Sequence, residues 1–151
     1  MTKREKIAYC AGIIDSDGCI SLGSGRDDRE WKLRLTVNMQ SERVIDFLIG
    51  TFGGRSRRTE KPTAKYAIYY WVISGVKAYK IMKQIKPYLV EKSAQADEAM
   101  KFYVHQKNHG ARPLTQQEIQ KRLRYKIRLR ELKTRFLSPK IALAETKCEN
   151  T

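Results

Sequence analysis

The chain has 151 residues, enough for one domain around one buried core. Although 41% of the residues are hydrophobic, no apolar run approaches the roughly 18 residues that a membrane span needs. Lysine and arginine number 31 against 16 acids, a net charge of +15 that points to a polyanionic partner, nucleic acid first.

Thr2 and Glu5 have capping-box spacing, and small or apolar residues follow to Ile14, which predicts a helix over 3–16. Gly18 stops it, a strand is expected over 19–24, and Gly23, Gly25 and the RDDRE stretch make a turn. Trp31, Leu33, Leu35, Val37 and Met39 then alternate with Lys32, Arg34, Thr36, Asn38 and Gln40, a strand with one apolar and one polar face. Ser41 caps a short helix with Val44, Ile45, Leu48, Ile49 and Phe52 on its apolar side, ended by Gly53-Gly54. The pattern repeats: a basic strand over 54–59, a turn with Pro62, a strand over 65–74, and a helix over 76–86 stopped by Pro87. Ser93 opens another helix. A last one starts at Thr115, with Glu118 in capping-box position, and runs to about Phe136.

The predicted class is therefore α+β. Its order is αββαββα with an extra C-terminal helix, and two hairpins side by side form one antiparallel sheet, helices on one face and the other open. Residues 1–110 form the core, 111–144 a basic helical extension of the same domain, and 145–151 a loose tail. Residues 101–140 hold 12 basic and 2 acidic residues, so the charge is concentrated there.

Cys10, Cys19 and Cys148 are an odd, widely spaced set without a C-x-x-C pair, which argues against disulfides or zinc; Cys10 and Cys19 are expected as small buried hydrophobes. His105 and His109 are expected as surface polar residues. The charged start MTKREKIAYC is not signal-like, so a soluble intracellular protein is expected.

Residues 10–18 read CAGIIDSDG. The stretch resembles the LAGLIDADG motif of the homing endonucleases: Ala11, Gly12, Ile14, Asp15, Asp17 and Gly18 match, Ile13 is conservative, and Cys10 and Ser16 depart. With the element order, the resemblance spans roughly residues 3–105. Independently of it, Ala8, Ala11, Gly12 and Asp15 fall on one helix face and Ile7, Cys10 and Ile14 opposite. The small face suits close approach of a partner helix. No second AGxxDxDG exists in the chain, so the partner is expected from a second copy.

A helix C-terminus, with free carbonyls and the negative end of the macrodipole, favours a cation. The resemblance implies that Asp17 is a catalytic carboxylate binding Mg2+ (Mn2+ or Ca2+ in its place), with the Ser16 carbonyl as a second ligand and Asp15 at the dimer interface. It implies further that Lys92 and Gln40 are catalytic neighbours of the scissile phosphate. From the alternation, the polar sheet face is read as carrying Ser21, Gly23, Lys32, Arg34, Thr36, Asn38, Arg55, Arg57, Lys65, Ala67 and Tyr69, an acid-free set suited to base edges. Arg58, Lys61 and the last helix are expected on phosphates. Trp71 stays unassigned, since alternation and bulk disagree.

The resemblance thus implies a homodimeric, metal-dependent endonuclease on double-stranded DNA, carried by an intron or intein in bacteria, phages or organelles. The alternatives are an RNA-binding intron maturase and a non-catalytic DNA-binding protein on the same fold.

Overall fold

The computed structural model describes residues 1–24, 31–59 and 66–134. Lys61 and Lys65, the turn around them, Phe136, Cys148 and the 145–151 segment lie outside the described residues.

Helix α1 (Lys3–Asp17) opens with the expected capping box: Glu5 N–H donates to Thr2 Oγ1 and Thr2 N–H to the Glu5 carboxylate. Strands β1 (Gly18–Ser24) and β2 (Trp31–Met39) follow, then α2 (Glu42–Phe52), β3 (Arg55–Thr59) and β4 (Ile68–Ser74). Helix α3 (Gly75–Ile85) runs into a 3-10 turn at Pro87, and α4 (Ser93–His109) and α5 (Gln116–Thr134) complete the described chain. Ser41 precedes α2 without a side-chain cap bond. At α5 only half of the expected box forms: Thr115 Oγ1 accepts from Glu118 N–H, while the Glu118 carboxylate sits 2.9 Å from His105 Nε2. His105 is therefore packed between α4 and α5 and is not a surface residue.

The sheet is antiparallel throughout, in the order β1-β2-β4-β3. On one face Ile20, Leu22, Leu33, Leu35, Val37, Trp71 and Ile73 pack beneath α1, α2, α3 and α4 with Cys10, Ile14, Ile45, Leu48, Met82, Ile85 and Phe102. The other face is open: along β2 buried core residues alternate with exposed Lys32 and Asn38 and half-buried Arg34 and Thr36.

The register decides the phase of β4, which sequence alternation left open. Val37 pairs with Trp71 and Met39 with Tyr69, so 69, 71 and 73 point into the core and 68, 70, 72 and 74 to the open side. Trp71 is fully buried and its Nε1 donates to Gly53 O at 2.8 Å. The Gly53-Gly54 turn exists for this ring: a Cβ on Gly54 (φ 109°) would stand 2.7 Å from Trp71 Nε1.

Candidate metal centre and nucleic-acid interface

The C-terminus of α1 sits at one end of the sheet. Gly18 carries the chain directly from α1 into β1, donating its N–H back to Ile14 O; a Cβ there would meet that carbonyl at 2.5 Å. The residue before it, Asp17, is exposed, and its carboxylate accepts from Ser16 Oγ at 3.0 Å.

Lys92 reaches the same point from the start of α4. Its ammonium donates to Asp15 O and, at 3.0 Å, to Ser16 O, so a cation already occupies the free carbonyls of the helix end. Asp15 holds this junction together. Its Oδ2 accepts from Val90 and Glu91 N–H (2.8 and 3.0 Å) and its Oδ1 from Lys92 N–H (2.8 Å). Burial alone pushes the Asp15 carboxyl up, but the N–H groups of Lys92, Glu91 and Val90, with the Lys92 charge, outweigh it and hold the group below the usual carboxylate range. Gln40 is exposed just past the end of β2. Because β2 pairs with β1 from Val37 against Gly18 onward, Gln40 stands at the same end of the sheet as Asp17.

Asp17 with the Ser16 carbonyl suits a hard divalent cation, since the donors are oxygens and the locale attracts positive charge. One chain supplies only part of a shell. Among the described residues, no group of three or more His, Cys, Asp or Glu could hold a metal.

The open sheet face carries Cys19, Ser21 and Gly23 from β1; Lys32, Arg34, Thr36 and Asn38 from β2; Ile68, Tyr70, Val72 and Ser74 from β4; and Arg55, Arg57 and Thr59 from β3. No acid lies among them. Register sets them in rows across the strands, Cys19-Thr36-Val72-Arg55 and Asn38-Tyr70-Arg57. Arg34 lies flat over Gly23, whose missing Cβ would be 2.8 Å from the guanidinium carbon.

Three expectations about this face need correction. Tyr69 packs against the core under the helices, and Ala67 precedes β4 rather than standing on the open side; Tyr70 and Val72 take the places assigned to them. Arg58, expected on phosphates and not on this face, pairs opposite Tyr69 and belongs to the other side of the sheet from Arg55 and Arg57. Cys19 is exposed on the open face, whereas Cys10 is buried as expected. The segment KYAIYYWVIS is apolar in both phases, so alternation could not separate its faces. The bulk of Trp71 was the one usable signal.

No family model and no curated protein sequence matches the chain. Solved structures do. The homing endonuclease I-CvuI, in complex with its target in the presence of calcium, superposes with a TM-score of 0.60 at 22% identity, covering 71% of each chain. The archaeal intron-encoded homing endonuclease I-Vdi141I, complexed with DNA, gives a TM-score of 0.69 at 14% identity over 87% of this chain and 86% of that one. The LAGLIDADG meganuclease I-AabMI, bound to uncleaved DNA, gives 0.61 at 18% identity, covering 80% of this chain but 43% of its own. The chain has the LAGLIDADG homing endonuclease fold.

Within that fold, α1 is the LAGLIDADG helix, and its two faces are rotated from the expectation. Ala11 is completely buried in the chain's own core with Cys10 and Ile14, and the Asp15 carboxylate is consumed by the 90–92 backbone, so neither is presented outward. The outward residues are Glu5, Tyr9, Gly12 and Ser16, with Ala8 half-buried beside them. A Cβ on Gly12 would meet nothing within 4 Å. Among the described residues, nothing requires glycine there.

Proposed function

We propose that this chain is a site-specific double-stranded DNA endonuclease that acts as a homodimer through divalent-cation-assisted phosphodiester hydrolysis. The observation that carries the reading is a single exposed carboxylate, Asp17, at the cation-attracting end of the LAGLIDADG helix, beside an acid-free open sheet. The DNA of the I-Vdi141I complex and the calcium of the I-CvuI complex support the substrate and cofactor classes.

Dimerisation follows from what one chain lacks. I-CvuI and I-Vdi141I are matched over 71% and 86% of their lengths, but I-AabMI over only 43%, which leaves room in its single chain for a second such unit. Two copies of the present chain, packed through Ala8 and Gly12 about a two-fold axis, would bring two Asp17 carboxylates together. Each would serve one strand.

A magnesium ion bound there, or manganese or calcium in its place, supplies Lewis-acid stabilisation of the attacking and leaving oxygens. Asp17 would hold it together with the Ser16 carbonyl, whose second lone pair the Lys92 ammonium leaves open. Lys92, half-buried at the helix end, offsets the negative charge that develops on the phosphate. Gln40 orders water at the same end of the sheet. Base edges are read by Ser21, Lys32, Arg34, Thr36, Asn38, Arg55 and Arg57, joined by Tyr70 and Val72; Arg58 is assigned to phosphates. Strand β2, nine residues long, spans roughly 30 Å, close to nine base pairs of B-DNA. An intron or intein is the proposed genetic setting.

The test is to incubate the purified chain with a plasmid library of randomised sites, with and without magnesium. Linear product that requires the cation and disappears in Asp17→Asn, while duplex binding persists, is the expected result. Tight binding of structured RNA with no cleavage of any site would replace this reading with the maturase.

A further inference from the structure

Residues 88–92 run along one flank of α1. Near the start of the helix, Arg4 Nε donates to the Tyr88 hydroxyl at 3.3 Å. At its end, the Asp15 carboxylate accepts from the N–H groups of Val90, Glu91 and Lys92. Ala8, Gly12 and Asp15 succeed one another at i+4 and i+3, so they share a line on the helix surface. Ala8 is half-buried and Gly12 exposed, and the 88–92 segment therefore borders the outward face of α1.

Two apolar side chains of this segment part company. Leu89 enters the core, whereas Val90 turns out and, at 86%, is the most exposed large apolar side chain among the described residues. A singly exposed valine means little by itself. Two observations set this one apart. Its backbone is fixed by a charged acceptor, so seating a partner on it costs little further ordering. It also has a counterpart: at about 100° per residue, Tyr9 and Asp15 lie on opposite sides of Gly12. Tyr9 is half exposed and stands edge-on to Phe47 at 5.1 Å. The small-residue strip of Ala8 and Gly12 thus has an apolar shoulder on either side, Tyr9 with Phe47 on one and Val90 on the other.

We propose that Val90 is a docking contact for a second copy of this chain, seated against the last turn of the partner's α1. This rests on the reading of the chain as a dimer that brings two Asp17 carboxylates together. Packed along Gly12 with those carboxylates meeting, the two helices run side by side in the same direction. Each level of one helix then faces the same level of the other. Val90, level with Asp15, meets the partner's helix end there. An apolar side chain on the helix side of the sheet offers nothing to a phosphate, which sets DNA aside as its occupant. Asp15 serves the pairing at one remove: its carboxylate is spent on the loop that carries the contact.

The experiment measures self-association of the full chain by sedimentation equilibrium, with and without a random-sequence duplex, for wild type, Val90→Gln, Val90→Ile, Val76→Gln and Gly12→Gln. Val76 is a second exposed valine, on α3, and serves as the control. Val90→Gln is expected to weaken the dimer by about tenfold or more, the worth of burying one valine. Val90→Ile should keep wild-type association, as should Val76→Gln, with the circular dichroism spectrum unchanged in all three. An undiminished dimer in Val90→Gln overturns the proposal, and so does equal weakening by Val76→Gln. If wild type stays a monomer at every concentration, even with duplex bound, the dimer reading falls and the contact with it. If Gly12→Gln dissociates the dimer and Val90→Gln does not, only the Val90 contact falls.

Discussion

Asp15 shows how one side chain couples the helix end to the rest of the molecule. Three consecutive N–H groups of residues 90–92 converge on its carboxylate, forming a small concave anion site in front of α4. Asparagine at 15 would turn an amide group toward donors and lose the charge, so Asp15→Asn is expected to cost about 1–3 kcal/mol in urea unfolding at neutral pH. The pH dependence has a definite sign. The folded-state pKa of Asp15 is depressed, so its contribution is fully present above the unfolded value of roughly 3.9 and lost as pH falls through the folded value. Wild type and Asp15→Asn should therefore converge in stability on acidification; a gap that persists in acid would assign the bonds another role. Asp17, two residues on, makes no such bond outside its own helix among the described residues. Asp17→Asn should accordingly leave the unfolding midpoint within about 0.5 kcal/mol of wild type, as a surface substitution does.

At the scale of elements, most of the architecture was legible because its signals are local. The capping box at Thr2, the ten-residue alternation ending at Gln40, Gly53-Gly54 and Pro87 each mark a boundary that the structure keeps. What was not legible depends on pairing across the sheet. The phase of β4 is set by Val37 against Trp71, a contact between strands more than thirty positions apart, and no local pattern in an all-apolar segment encodes it. The same holds for α1, where Ala11 could serve either face by size and only tertiary packing buries it. Asp15 was misassigned for the same reason, since its partners lie some 75 residues away. The Trp71 assignment makes a further prediction. Gly54→Ala puts a Cβ against the indole at a φ that alanine adopts only with strain, so it should destabilise by more than about 1 kcal/mol. Gly50→Ala is its control, within α2 and facing open space, and should be neutral or stabilising. Equal effects of the two in thermal unfolding would refute the Trp71–Gly54 contact.

At the scale of the whole molecule, the proposed pairing of two copies can be separated from the stability of one chain. A residue that is conformationally costly in a helix and whose Cβ position faces open space among the described residues adds nothing to the fold of one chain; Gly12 is such a residue, lowering helix propensity by about 1 kcal/mol relative to alanine. A bulkier side chain there should leave the single chain folded, because the space beside it is open. In the proposed dimer that same space is filled by the partner's helix, so a long side chain would hold the two backbones apart. Gly12→Gln is therefore expected to sediment as a monomer with an unchanged far-ultraviolet spectrum, to retain weak duplex binding through one open sheet, and to lose double-strand cleavage. Gly12→Ala, adding one methyl group, should fall between the two in self-association. A Gly12→Gln protein that still sediments as a dimer and still cuts both strands would show that α1 is not the contact, and that whatever brings two Asp17 carboxylates together lies on another face.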